Sequence, residues 1–138
     1  MAIAGWIVDK SVATRAHEQV VGAQLAELAG RLFVCPVGEL EQLYSARSAV
    51  DYDRMKESLR SDVGIAAAPP DVFDRALSLQ HDLAHHHGMW HRTPIPDLLI
   101  AETALHHDLG VLHVDRDYER IAEVRPLTVR RLTVRRLG

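Results

Sequence analysis

Apolar residues follow two rhythms along this chain: short unbroken runs, and stripes at three- to four-residue spacing. The run GWIVD (Gly5–Asp9) and the run RLFVCP, stopped by Pro36, read as strands buried on both faces. VLHV (111–114) has the same character, and Val63–Ala68 reads as a further short strand before Pro69 and Pro70. Helical stripes lie between them. Ser11 is placed to cap a short helix, and HEQVVGAQLAELAGR sets Val20, Val21, Leu25 and Leu28 on one side. GELEQLYSARS aligns Leu40, Leu43 and Tyr44, and Tyr52–Leu59 is polar and helical. Asp71–His87 turns Val72, Ala76, Leu79 and Leu83 inward and stops at Gly88. DLLIAETALHHDLG is apolar along most of its length and is expected to close at Gly110. DRDYERIAEV gives a turn and short helix, and PLTVRRLTVRRL a last β-like segment. Strands alternating with helices predict an α/β fold, a three-layer α/β/α sandwich around a central, mainly parallel sheet. The 138 residues are expected to form one domain, with 126–138 a basic C-terminal strand or tail in which LTVRR occurs twice.

Composition narrows the setting more than the activity. No apolar run approaches the ~20 residues that span a bilayer. MAIAGWIVDK lacks a basic start and soon reaches an acid, so no signal peptide is expected. Cys35, the only cysteine, excludes an internal disulfide, fits a cytoplasmic location, and reads as a small buried hydrophobe beside Pro36. A net charge of −3 offers no global attraction to nucleic acid. All the basic residues except Lys10 and Lys56 are arginine, and five of them crowd between Arg125 and Arg136. Arginine suits bidentate phosphate contacts, but an arginine-rich edge also discourages sheet-to-sheet pairing.

The chemistry is sought where parallel sheets build sites, outside the carboxyl ends of their strands. Asp9 ends GWIV and Asp115 ends VLHV, two acids at equivalent strand ends. Asp97 follows Pro96 at the start of an apolar helix, where proline and an acid both mark an N-terminus. A carboxylate held there against a sheet edge needs donors or a cation. GELEQLY offers Glu39 or Glu41, which lie two apart and cannot both face one site, and spacing alone does not choose between them. A cluster of three or four carboxylates repels itself unless a hard divalent cation neutralises it, and oxygen-only ligation selects Mg²⁺ or Mn²⁺. Such a cation favours hydrolysis of a phosphate ester or phosphodiester.

Three blocks then carry a resemblance: WIVDKSV, CPVGELEQLYSARS and PIPDLLIAETALHHDLGVLHVDRDYERIA. Together, in order and at suitable spacing, they resemble the successive signatures of PIN domains, most closely those of the VapC toxins of bacterial VapBC toxin–antitoxin modules. The likeness runs from Trp6 to Val124. It implies a Mg²⁺- or Mn²⁺-dependent endoribonuclease, a homodimer, and inhibition by a VapB-type antitoxin whose tail enters the active-site groove. By motif position it assigns Asp9, Asp97 and Asp115 as acids of the site, with Asp117 as a further metal ligand. E-x-L-Y-S-A-R matches Glu41 rather than Glu39, and Ser11 matches a hydroxyl residue that helps hold substrate or water. The implied reaction is in-line attack of a cation-activated water on an RNA phosphate, leaving a 3′-hydroxyl and a 5′-phosphate. Arg47, Arg92 and Arg116 are the candidate contacts to the RNA backbone. Lys10, and His113 ahead of the last acids, stand where threonine is common in the family, and the tail from Pro126 resembles it poorly.

Two alternatives share these features. A receiver-like phosphoacceptor regulator also sets acids at the strand ends of an α/β sheet, and a PIN-fold module can bind RNA or a partner without cutting. The stretch HDLAHHHGMWH raises a third question, because it holds five of the nine histidines. His81 and His85 share a helix face, yet no HExxH or Cys/His zinc pattern completes them. They are therefore read as solvent-facing polarity, with the carboxylates as the metal ligands. Trp6 and Trp90 suit a core or an interface equally well.

Overall fold

The computed structural model describes residues 3–86, 88 and 90–134. His87 of the histidine stretch, and Arg135 and Arg136 of the second LTVRR copy, lie outside the described residues. Five strands form one sheet in the order β3-β2-β1-β4-β5. They are β1 (Gly5–Val8), β2 (Leu32–Val34), β3 (Gly64–Ile65), β4 (Leu109–His113) and β5 (Val129–Arg131), and every pairing is parallel. The helices are α1 (Lys10–Ala13), α2 (Gln19–Glu27), α3 (Pro36–Tyr44), α4 (Ala49–Asp62), α5 (Val72–His86), α6 (Ile95–His106) and α7 (Asp117–Val124). A single 3₁₀ turn spans Trp90–Arg92.

Alternation along the strands divides the core into two layers. Ile7 and Val111 face a cluster built with α5, α6 and α7, including Leu79, Leu83, Leu98, Ile100, Tyr118 and Ile121. Val8 and Leu112, on the opposite face, pack with Val12, Val21, Leu28 and Leu132. The sheet is thus covered on both sides, as the alternation of strands and helices predicts. Helix α6 sits deepest, with every residue from Asp97 to Ala104 buried, whereas α4 is largely polar and buries none. Trp6 and Trp90 each flank a core as partly buried side chains. Trp6 lies across Gly110, where an added Cβ would come 2.6 Å from its ring.

Four local expectations change. Asp9 caps α1, accepting the Ser11 N–H, so Ser11 is not the cap. Leu40 and Tyr44 are 67% and 92% exposed, and only Leu43 of that stripe is buried, because α3 meets the core along its Gly38–Gln42–Leu43 side. Val20 also lies outward of its stripe, at 38% exposure. Gly110 does not close α6: that helix ends at His106, Asp108 makes the left-handed turn (φ 55°), and Gly110 lies within β4. Gly88, by contrast, has the positive φ expected beyond a helix end (58°). The tail is ordered as far as it is described. Leu132 is buried, and the Gln24 amide clamps the Thr133 backbone through a donor and an acceptor at 2.8 and 3.1 Å.

Candidate metal centre

The strand order creates one switch point, between β1 and β4, where the chain stops building to one side of β1 and starts on the other. A receiver-like sheet places β3 beside β1 instead, so the observed order is not that of the receiver alternative. Val8 pairs with Leu112 across the switch point, and the Asp9 N–H continues the ladder to Leu112 O at 3.1 Å. Asp9 therefore leaves β1 at the crevice, and Asp115 lies two residues beyond β4 in the turn into α7. Asp117 opens α7, and Asp97 stands in the first turn of α6 behind Pro94 and Pro96. Parallel strands and two helix starts thus deliver four acids to one end of the sheet.

Carboxylate oxygens of Asp97, Asp115 and Asp117 lie within 4.8 Å of one another. Asp9 sits beside them, 4% exposed, with Oδ2 accepting the Ser11 N–H at 2.9 Å and Oδ1 accepting the Tyr118 hydroxyl at 2.7 Å. The same hydroxyl reaches Asp97 Oδ1 at 3.3 Å. Asp115 Oδ1 accepts the Asp117 N–H at 3.0 Å. Its backbone carbonyl takes His113 Nδ1–H at 2.6 Å and Arg131 Nη2 at 3.3 Å, which fixes the turn that aims its side chain. The two glutamates of α3 part company: Glu39 pairs with Arg60 through both oxygens at 3.1 Å, while Glu41 Oε1 is buried without a hydrogen-bond partner.

Burial pushes the Asp97 carboxyl up to about 8, and the charges of Asp9, Asp115, Asp117 and Glu41 push it in the same direction. Asp115 and Glu41 are raised too, first by burial; Asp117 and Asp9 then add to the rise at Asp115, and Asp9 adds to it at Glu41. Elsewhere acids sit with arginine: Asp82 and Glu102 with Arg125, Asp51 with Arg54, and Glu119 with Arg131. Among the described residues none of the five clustered acids forms a salt bridge. Like charges about 4.8 Å apart repel by about 3–4 kcal/mol per pair at an effective dielectric of 20, so protons or a cation must offset them. An all-oxygen, unpaired, partly buried donor set fits a hard divalent cation such as Mg²⁺ or Mn²⁺.

The remaining expected residues are spread around this centre. The Ser11 Oγ accepts the Val114 N–H at 3.2 Å and ties α1 to the end of β4. Arg116 is exposed between Asp115 and Asp117. Arg47 and Arg92 are exposed as well, and among the described residues neither bonds to the acids; the Arg47 N–H donates to Asp51 instead. Cys35 is buried at the start of α3, with its thiol pushed up to about 11 by burial, as an inert thiol should be. His81 and His85 stack at 4.2 Å as exposed side chains of α5, and neither joins the cluster of Asp97, Asp115 and Asp117. Tyr118 was not anticipated. Its signal is an aromatic three residues before Ile121 on the inward stripe of α7, and a buried tyrosine hydroxyl needs a partner.

Comparison with known proteins agrees with this geometry. A sequence model of the PIN domain matches residues 3–124. Ribonuclease VapC17 of Mycobacterium tuberculosis is 59% identical over 128 residues, covering 88% of this chain and 90% of that protein. Ribonuclease VapC21 of the same organism is 37% identical over 121 residues, covering 86% and 87%. VapBC2 from Rickettsia felis, solved bound to a DNA fragment of its promoter, superposes with a TM-score of 0.72 over 93% of this chain and 98% of that one. VapBC from Salmonella typhimurium, also solved with DNA, gives 0.73 over 92% and 97%. At 15% and 14% identity these two structures speak for the fold alone. The match across the PIN signature and the identity to VapC17 together place the chain in the PIN-domain family, among the VapC ribonucleases.

Proposed function

We propose that this chain is a Mg²⁺-dependent endoribonuclease, the toxin of a type II toxin–antitoxin pair, with the whole reaction carried out by one domain. The observation that carries this is the convergence of Asp97, Asp115 and Asp117 within 4.8 Å at the switch point, with no arginine or lysine paired to them among the described residues. Asp97, Asp115 and Asp117 would hold the cation, with Asp9 and Glu41 at its margin; Mn²⁺ is the natural substitute. When bound, the cation offsets charge on the phosphoryl oxygens and makes water more acidic. The chain's own residues do the rest. Glu41, with one oxygen free of protein donors, takes a proton from the attacking water. Asp9 stays oriented by its two donors. Ser11, Lys10 and Arg116, neighbours in the chain of Asp9, Asp115 and Asp117, would bind the RNA backbone, with Arg47 and Arg92 as further contacts.

The partners follow from the surface and the relatives. A largely apolar groove lined by Val8, Ala13, Leu25, Phe33 and Leu59 includes the last residue of β1, and a VapB-type antitoxin tail lying in it would lead towards the acids. Leu40 and Tyr44 on α3 and Phe73 and Leu77 on α5 are each more than 60% exposed, a patch suited to a homodimer interface. Phe73→Glu should convert a dimer to a monomer in light scattering; an unchanged dimer mass would move the interface elsewhere. No helix among the described residues is long and apolar enough to cross a membrane, and a cytoplasmic location belongs to the same reading.

RNA cleavage tests the proposal itself. The purified chain should cut single-stranded RNA with Mg²⁺ and stop in excess EDTA, with activity restored by Mg²⁺ or Mn²⁺. Equal cleavage in EDTA would overturn it.

A further inference from the structure

The hydroxyl of Tyr118 does no work for packing. Its side chain is fully buried in the core with Ile121 and stands 5.6 Å from the His113 ring, positions a phenylalanine would fill equally well. A buried hydroxyl costs free energy unless it is bonded. Its two acceptors are both carboxylates of the metal centre, Asp9 Oδ1 at 2.7 Å and Asp97 Oδ1 at 3.3 Å. With Ser11 N–H on Oδ2, this leaves both Asp9 oxygens committed to protein donors, one from α1 and one from α7. Tyr118 also adjoins Asp117 in the chain. One hydroxyl therefore links three of the elements that carry the acids: the end of β1, the start of α6 and the start of α7.

We propose that Tyr118 is a positioning residue of the metal centre, whose hydroxyl sets the orientation of Asp9 against Asp97 and holds α7, with Asp117, in register with both. The inference rests on the proposed cation site. Hydrogen-bond partners of carboxylate ligands orient them, and losing one commonly weakens metal affinity or activity about 10- to 100-fold.

Tyr118→Phe keeps the ring and removes the donor. It should unfold within a few degrees of the wild type. Calorimetric titration should show Mn²⁺ binding weakened about tenfold or more. RNA cleavage should lose kcat at low Mg²⁺, regain it in part at high Mg²⁺, and keep its KM for RNA. In an Asp9→Asn background the same change should cost less than about threefold further, because both act through one carboxylate. Wild-type Mn²⁺ affinity in Tyr118→Phe, fully additive effects with Asp9→Asn, or a variant that does not fold would each overturn the inference, the last by making the hydroxyl structural. If the wild type itself neither binds Mn²⁺ nor needs a divalent cation, the site reading falls and this inference falls with it. If the wild type does both and Tyr118→Phe matches it, only this inference falls.

Discussion

Asp97→Asn should lower Mg²⁺-dependent RNA cleavage by about a thousandfold or more, the several kcal/mol a divalent cation contributes to phosphoryl-transfer catalysis. Asp97 matters most because it is the one buried member of the three acids that converge within 4.8 Å. It is 8% exposed in the first turn of the most buried helix, with four other acids acting on its charge. Asparagine keeps the shape and one oxygen but removes the charge that the cation would meet. The loss should come without unfolding. With no cation bound, the variant should instead be the more stable protein at pH 8, by about 1–3 kcal/mol, since it no longer confines a charge among like charges. Activity assays and thermal unfolding on the same preparation check both halves. An Asp97→Asn protein that cuts RNA at the wild-type rate would remove the acid cluster from the mechanism.

The second large effect is on stability against pH. Burial and mutual repulsion raise Asp97 to about 8 from an ordinary 3.8, and raise Asp115 and Glu41. Groups whose folded value lies above the unfolded one favour the folded state fully below the unfolded value and lose that contribution as pH rises through the folded one. In EDTA the protein should therefore become less stable from about pH 4 to about pH 8, by a few kcal/mol, or roughly 10 °C in melting temperature. The Arg47 backbone N–H, with Arg54, lowers Asp51 and Arg125 lowers Asp82, which has the opposite sign, but both pairs lie at the surface, where salt screens them. Saturating Mg²⁺ should take over the offsetting of charge and raise the melting temperature most at pH 8. A melting temperature that is flat across this range in EDTA, or insensitive to Mg²⁺ at its upper end, would mean that the acids do not share one site.

What could be read from residues alone depended on how local the signal was. GWIVD and VLHV announce buried strands, and their closing acids fall at the switch point because a parallel sheet has few places for a strand to end in polar residues. Val72, Ala76, Leu79 and Leu83 announce a helix face, and all four are buried. The α3 stripe misled because a helix with Leu40, Leu43 and Tyr44 in near alignment still chooses its buried side by what it meets. Here the core is met by Gly38, Gln42 and Leu43, and Leu40 and Tyr44 are left outside. Gly110 misled because glycine after an apolar helix usually ends it, whereas here glycine is needed under Trp6. Glu41 over Glu39 needed the family pattern, since spacing leaves the two equivalent; in the fold Arg60 takes Glu39. Tyr118 escaped because its partners lie 109 and 21 residues away, and no local pattern encodes a contact of that kind. The histidines of HDLAHHHGMWH drew attention towards metal, while His81, His85 and His86 are exposed on α5 and His91 lies in the 3₁₀ turn beyond it.

The claim that organises all of this is that the acids at the switch point are one divalent-cation site. Calorimetric titration of Mn²⁺ into the wild type and Asp97→Asn at pH 7.5, both as purified and stripped of metal, tests it most directly. The wild type should bind Mn²⁺ saturably, and the variant should lose that binding. Equal binding to both, or none to the wild type, would contradict it.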